Sequence, residues 1–147
     1  MEISDILAEE MIFTELKATN KRDLFMQVSS LLADKYDLDA NMVFEALWER
    51  ENLGSTGYGN GVAFPHARIT GINKVLSAFV RLDNTLDYDT ADGQNVDVLA
   101  FMLSPENSGN DHLQTLALYS RLLKNPGICQ DVRAARSQHE IYVALQK

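Results

Sequence analysis

A single cysteine, Cys129, stands among 147 residues. No internal disulfide can form and no cysteine cluster can hold zinc, and such usage fits a reducing cytoplasm. Long hydrophobic runs are missing as well: no apolar stretch approaches the roughly 20 residues that cross a bilayer, so no membrane insertion is expected. The start, Met1-Glu2-Ile3-Ser4-Asp5, is acidic and lacks the basic-then-apolar pattern of a signal peptide. Basic residues are scarce. Thirteen Lys and Arg against 21 Asp and Glu leave a net charge of −8, which weighs against non-specific binding of nucleic acid or anionic lipid. It leaves open docking onto a protein with a basic face. Repeats, low-complexity segments and linkers are absent too. One domain over residues 1–147 is therefore expected, burying roughly two thirds of its unfolded surface.

What is present is an alternation of strand and helix signals. Ile12–Leu16 reads as a short strand. Asn20 caps a helix with Asp23 in its first turn, and Leu24, Val28, Leu31 and Leu32 recur at helical spacing. A second helix is expected from about Ala40 to Arg50, with Val43, Ala46 and Leu47 on its buried face. Val62–Phe64 and Val75–Leu82 read as strands, and Asn84 to Asn95 is polar and turn-rich. Val96–Leu103 is nearly continuous in apolar residues, as in a central strand buried on both faces. After a loop from Ser104 to Asn110, a helix begins near Asp111, with Leu113, Leu116, Ala117, Leu122 and Leu123 as its apolar stripe. Asn125-Pro126 opens a further helix, and Ser137-x-x-Glu140 forms a capping box before Ile141–Leu145. The alternation predicts an α/β sandwich with helices covering the sheet.

The richest segment for function runs from Gly54 to Arg68: Gly54-Ser55-Thr56-Gly57-Tyr58-Gly59-Asn60-Gly61-Val62-Ala63-Phe64-Pro65-His66-Ala67-Arg68. Its glycines permit positive φ and close backbone approach, and Pro65 holds Phe64 extended. The run is expected to present one imidazole beside an open loop whose N–H groups suit phosphate, as a phosphoryl-carrying nucleophile requires. A structural histidine beside a turn is the plainer alternative. Other chemistries fit poorly. Gly57-x-Gly59-x-Gly61 has the wrong spacing for a dinucleotide fingerprint, no lysine follows as in a P-loop, and His139-Glu140 lacks the spacing of a zinc-protease helix. His139 reads as a solvated residue, and neither a metal nor a cofactor is expected.

The segment resembles the phosphorylation-site motif of enzyme IIA domains of the phosphoenolpyruvate-dependent sugar phosphotransferase system, fructose/mannitol class. The similarity extends over nearly the whole chain. It takes in Phe44-Glu45-Ala46-Leu47 with Arg50-Glu51, the glycine run through Pro65-His66, and Asp111-His112-Leu113 with Thr115-Leu116. It is strongest toward the nitrogen-regulatory branch. Tyr58 and Phe64 depart from the family, which usually carries aliphatic residues there, and they bear on the partner-facing surface.

The resemblance implies a mixed parallel/antiparallel sheet and gives roles to particular residues. His66 is the phosphoacceptor, neutral and nucleophilic near an unperturbed pKa of about 6.5. His112 matches a second active-site histidine that orients and stabilises the phosphoryl group. A helix N-terminus there disfavours imidazolium by about 0.3–1 kcal/mol and welcomes phosphate oxygens; a plain surface histidine is the alternative. Arg50 closes its helix and is expected to bond the phosphoryl oxygens, although favourable placement at a helix C-terminus explains it too. Ser55, Thr56 and Gly57 are further phosphate-loop candidates, unless the hydroxyls serve only their own backbone.

The implied partners are an HPr-like phosphocarrier and regulated proteins such as potassium-transport or sensor-kinase components. A sugar-specific subunit handing phosphate to an enzyme IIB, and a binding module without catalysis, are the competing readings.

Overall fold

A computed structural model describes residues 1–90 and 92–147. Position 91, inside the expected turn-rich stretch Asn84–Asn95, lies outside the described residues. Two short 3-10 turns lead into β1 (Ile12–Phe13), α1 (Lys21–Tyr36) and α2 (Ala40–Leu53). There follow β2 (Gly57–Gly59), β3 (Val62–Ala63), β4 (His66–Ile69), β5 (Leu76–Leu86) and β6 (Val96–Pro105). The chain closes with α3 (Gly109–Lys124), α4 (Pro126–Ala134) and α5 (Gln138–Leu145). The caps form where the side chains allow them. Asn20 accepts from the Asp23 N–H, Asn125 accepts from Gly127 and Ile128 ahead of Pro126, and Ser137 accepts from Glu140. The capping box is only half closed, since the Glu140 carboxylate takes the Arg136 N–H instead.

The sheet has six strands in the order β1-β5-β6-β3-β2, with β4 also paired to β6. It is mixed: β5 runs antiparallel to β6, whereas β3 and β4 run parallel to it. β6 is flanked on both edges and buried almost throughout, Asp97 and Pro105 excepted, as its apolar sequence requires. Because side chains alternate across a strand, the two faces can be told apart. Phe25 of α1 packs edge-on against Trp48 of α2 at 5.3 Å and against Phe101 of β6 at 5.2 Å. On the opposite face, Tyr119 of α3 stacks with Phe79 at 6.3 Å and shares its hydroxyl with Ser77 at 2.5 Å. Arg81 on that same face reaches the carbonyls of Val132, Arg133 and Ala135 at the end of α4. Helices thus cover both sides of the sheet.

Several boundaries differ from the sequence expectation. β1 ends at Phe13 rather than Leu16, α2 runs three residues past Arg50, and strand pairing resumes at His66 after a break at Phe64-Pro65. The stripe of α3 is rotated. His112, Thr115, Leu118, Tyr119, Leu122 and Leu123 are buried, while Leu113 is 63% exposed and Ala117 is also exposed. Two polar residues occupy the inward face because each has an internal partner: Ser104 for His112, and the Asp111 carbonyl for Thr115. Polarity alone does not predict exposure once the hydrogen bonds are made.

Candidate functional site

The site gathers where the end of α2, the start of β4 and the first turn of α3 meet. On α2, the Arg50 side chain lies along the helix end and donates to the Gly54 carbonyl at 3.0 Å, satisfying one of the acceptors a helix C-terminus leaves free. At the break before β4, the Pro65 carbonyl accepts the Met102 N–H at 2.9 Å. That bond pins His66 as the first residue of β4, beside Met102. His66 Nδ1 lies 2.7 Å from the Phe64 carbonyl oxygen. A carbonyl can only accept, so Nδ1 carries the proton and Nε2 keeps its lone pair. Burial lowers the His66 pKa, the Phe64 bond opposes that shift, and the positive charges of Arg50 and Arg68 reinforce it. The ring is neutral at physiological pH.

His112 faces His66, with ring centroids 5.3 Å apart and planes inclined by 61°. It is buried, and its Nδ1 lies 2.7 Å from the hydroxyl of Ser104 at the end of β6. Its pKa falls to about 4, first because burial removes water and then through Arg68, His66 and Arg50. The depression thus exceeds the few tenths of a unit that a helix end supplies, and its leading cause is desolvation. Arg68, two residues beyond His66 on β4, donates to the hydroxyl of Ser108, the cap residue of α3, at 3.0 Å. An open cleft of about 390 Å³ unites these groups, with Glu49, Arg50, Leu53, His66, Arg68 and His112 on its walls. Two guanidiniums, two neutral imidazoles and the Glu49 carboxylate thus share one cleft, a chemistry suited to an anion and to a nucleophilic ring nitrogen.

Of the residues singled out in the sequence, His66, His112 and Arg50 come together here. Ser55, Thr56 and Gly57 do not line the cleft. Both Thr56 donors are already engaged: its N–H and its hydroxyl each bond Glu51. Ser55 Oγ accepts the Gly57 N–H. The expected open loop is instead a hairpin, in which β2 pairs antiparallel with β3. Asn60 and Gly61, at φ 57° and 81°, make its two-residue turn. Gly61 also leaves no room for a side chain, since a Cβ there would meet the Arg133 guanidinium at 2.7 Å. The glycines therefore serve the hairpin. Phe64 is buried rather than partner-facing; its ring packs tilted by 50° against Tyr58 at 4.9 Å, and Tyr58 in turn bonds Ser120 on α3. His139 is exposed as expected, with Glu9 as its partner at 2.8 Å.

Sequence reasoning missed Arg68 and Ser104. The signal for Arg68 was the period of two: a strand continued past His66 puts residue 68 on the same face. Ser104 carried no local signal, because its partner lies eight residues on, across a loop and a helix start.

Comparison with known proteins places the chain and its fold in a family. Residues 5–147 match the family described as phosphoenolpyruvate-dependent sugar phosphotransferase system, EIIA 2. A nitrogen regulatory protein of Bradyrhizobium diazoefficiens is 38% identical over 145 residues, covering 99% of this chain and 95% of the relative. The fructose-specific EIIA component of Haloferax volcanii is 30% identical, covering 98% of this chain and 94% of the relative. The crystal structure of nitrogen regulatory protein IIA-Ntr from Neisseria meningitidis superposes with a TM-score of 0.92 at 33% identity, covering 97% of this chain and 98% of that one. With the mixed-sheet sandwich and the paired histidines already in place, the chain belongs to the type 2 enzyme IIA family of the phosphoenolpyruvate-dependent phosphotransferase system.

Proposed function

We propose that the protein accepts a phosphoryl group on Nε2 of His66 from an HPr-like phosphocarrier and regulates target proteins according to its phosphorylation state. The observation that carries this reading is the 2.7 Å bond from His66 Nδ1 to the Phe64 carbonyl, which leaves the Nε2 lone pair as the ring's free nucleophile. In the transfer, that lone pair forms the new N–P bond as the P–N bond to the carrier's imidazole breaks. The bonding electrons leave with the carrier's nitrogen. The His66 ring acquires positive charge as it bonds phosphorus, and the Phe64 carbonyl, already aligned on Nδ1–H, stabilises that charge as it appears. Arg50 and Arg68 face the phosphoryl oxygens from two sides, and His112 supplies a third contact. Beyond the N–P bond made by His66, the protein contributes positioning and charge stabilisation.

A relay must also release what it receives. Two arginines and one neutral imidazole stabilise the phosphoryl group without holding it irreversibly, and both directions of transfer remain accessible. The group adds about 1.5–2 negative charges to a cleft that is otherwise cationic, at the very face that partners must approach. Regulation then follows from which proteins tolerate that change, potassium-transport and sensor-kinase components being the candidates. Similarity to a fructose-specific EIIA component favours a second reading, in which the phosphoryl group passes to an enzyme IIB.

Incubation with phosphoenolpyruvate, enzyme I and an HPr-like carrier should add one acid-labile phosphoryl mass to the wild-type protein and none to His66→Ala. Full labelling of His66→Ala would overturn the assignment. Transfer from the labelled wild type onto an enzyme IIB would favour the sugar-transport reading.

A further inference from the structure

The two site histidines are held through the same ring atom by partners of opposite character. His66 Nδ1 meets a carbonyl oxygen, which can only accept. His112 Nδ1 meets the Ser104 hydroxyl at 2.7 Å, a group that can accept or donate. Which of these Ser104 does can be settled by accounting for its proton. Ser104 is fully buried, and among the described residues its hydroxyl has no other side-chain or carbonyl partner. Suppose the hydroxyl accepted a proton from Nδ1. Its own hydrogen would then point into the interior with no acceptor, the costly kind of orphan. If the hydroxyl donates, its proton is satisfied and only a lone pair goes unused. The second arrangement is the favoured one.

From this accounting we infer that Ser104 is a positioning residue: it donates to His112 Nδ1 and thereby fixes the proton of His112 on Nε2, the ring atom left free to address the cleft. The site then holds two neutral imidazoles in opposite tautomers. His66 offers a bare Nε2 as nucleophile, and His112 offers Nε2–H as donor to the phosphoryl oxygens. Had Ser104 been an acceptor, His112 would present a second lone pair, which repels phosphoryl oxygen and competes for phosphorus. The division of labour between two identical side chains thus rests on what lies behind each: a carbonyl in one case, a hydroxyl in the other. His112 stays neutral because the burial that shelters Ser104 shelters the ring as well, with Arg50 and Arg68 opposing any positive charge. The functional part of this inference rests on the reading that His66 accepts the phosphoryl group; the tautomer assignment does not.

The test uses full-length protein carrying ¹⁵N-labelled histidine at pH 7.5, with two-bond ¹⁵N–¹H correlation spectra that separate protonated from bare ring nitrogens. The expected wild-type result is a proton on Nδ1 of His66 and on Nε2 of His112. In Ser104→Ala, His112 should shift to a mixture of tautomers or to Nδ1–H, with His66 unchanged, and transfer onto His66 should slow by about twofold for an equal mixture and by about tenfold where Nδ1–H predominates. A wild-type His112 protonated on Nδ1 would overturn the inference, as would an unaltered tautomer in Ser104→Ala. If Ser104→Ala does not fold, the wild-type spectrum decides alone. The phosphoryl mass of His66, measured on the same samples, is independent of these spectra. A protein with the stated tautomers but no phosphoryl uptake sinks the relay reading, and one that is phosphorylated with the opposite His112 tautomer sinks this inference.

Discussion

Arg50 and Glu51 are neighbours on the last turn of α2, yet they serve two polar clusters of opposite kind. Glu51 turns inward and is saturated. Its carboxylate receives Lys21 Nζ at 2.7 Å, the Thr56 N–H at 2.9 Å, the Thr56 hydroxyl at 2.5 Å and the Tyr88 hydroxyl at 3.0 Å. Lys21 also bonds the Tyr88 carbonyl and sits 4.0 Å from that ring's centroid. The Tyr88 pKa rises accordingly, mainly from burial and then from the Glu51 charge, so the phenol stays a donor. Arg50 turns the other way, into a cleft where, among the described residues, no carboxylate is bonded to it and the Nε2 atoms of His66 and His112 have no partner. A buried cluster that joins α1, α2, the hairpin and the Tyr88 segment uses up its hydrogen-bonding capacity, which is what stability requires. The cleft withholds part of its capacity, which is what binding a transient anion requires. Unspent polar atoms, more than polar residues as such, separate the site from the scaffold.

Breaking the saturated cluster should have the larger effect on folding. Glu51→Ala leaves Lys21, Thr56 and Tyr88 without their shared acceptor, and loss of one partner from a buried network costs about 3 kcal/mol or more. Urea denaturation should show that loss. A change below about 1 kcal/mol, the range of surface pairs, would mean the cluster is no scaffold and would erase the contrast drawn here.

Breaking the cleft should affect rate instead. His112→Ala should still fold, while losing one positioned donor costs about 2–4 kcal/mol at the transition state, or some tens to a thousandfold in transfer. Rapid-quench measurement in both directions is the check, and unchanged rates would reduce His112 to a helix-end residue. Arg50→Lys sharpens the comparison further, because it keeps the charge near the helix end but removes the planar fork. Transfer should fall by about tenfold, the equivalent of one charge-assisted bond, with the melting temperature nearly unchanged. Wild-type transfer in Arg50→Lys would take Arg50 out of the site and leave Arg68 as its cation.

The last expected effect is on pH dependence, which tests the charge state of the cleft rather than any one contact. The folded pKa of His112 is about 4, below the unfolded value of about 6.5, and His66 is depressed in the same direction. Between those values the unfolded chain binds more protons than the folded one, so stability rises with pH. The contribution is complete above about pH 6.5 and is lost as pH falls toward 4. Denaturation at pH 7.5 and pH 5 should show this slope in the wild type and a shallower one in His112→Ala. A slope of opposite sign would mean that the fold holds the imidazoles charged.

Much of this architecture was legible in the sequence. The caps at Asn20, Asn125 and Ser137 and the apolar run of β6 rest on local side-chain chemistry or short periodicities, and they appear where expected; the strand–helix alternation does not, since two helices follow β1 and five strands then run in succession from β2 to β6. His66 stood out because a proline and a glycine-rich segment are local signals too. The face of α3 was not legible. His112 and Thr115 turn inward only because Ser104 and the Asp111 carbonyl are there to receive them, so a hydrophobic pattern placed Leu113 inside when it lies outside. The glycine run differs from its expected open loop for a related reason: the Glu51 carboxylate and the β3 edge claim the donors that an isolated loop would offer to phosphate.

Local spacing and propensity thus determined the helices, the long strands, three of the caps, the acidic balance and the choice of His66, but not the short strands β2 and β4. Only the tertiary structure decided which groups share the cleft, since Arg50, Arg68 and His112 come from three elements and meet through sheet register and helix packing. It alone decided the protonation of the two rings. The proton on each imidazole is set by the atom behind it, Phe64 oxygen for His66 and Ser104 hydroxyl for His112, and the hydroxyl's role depends on its having no other partner among the described residues.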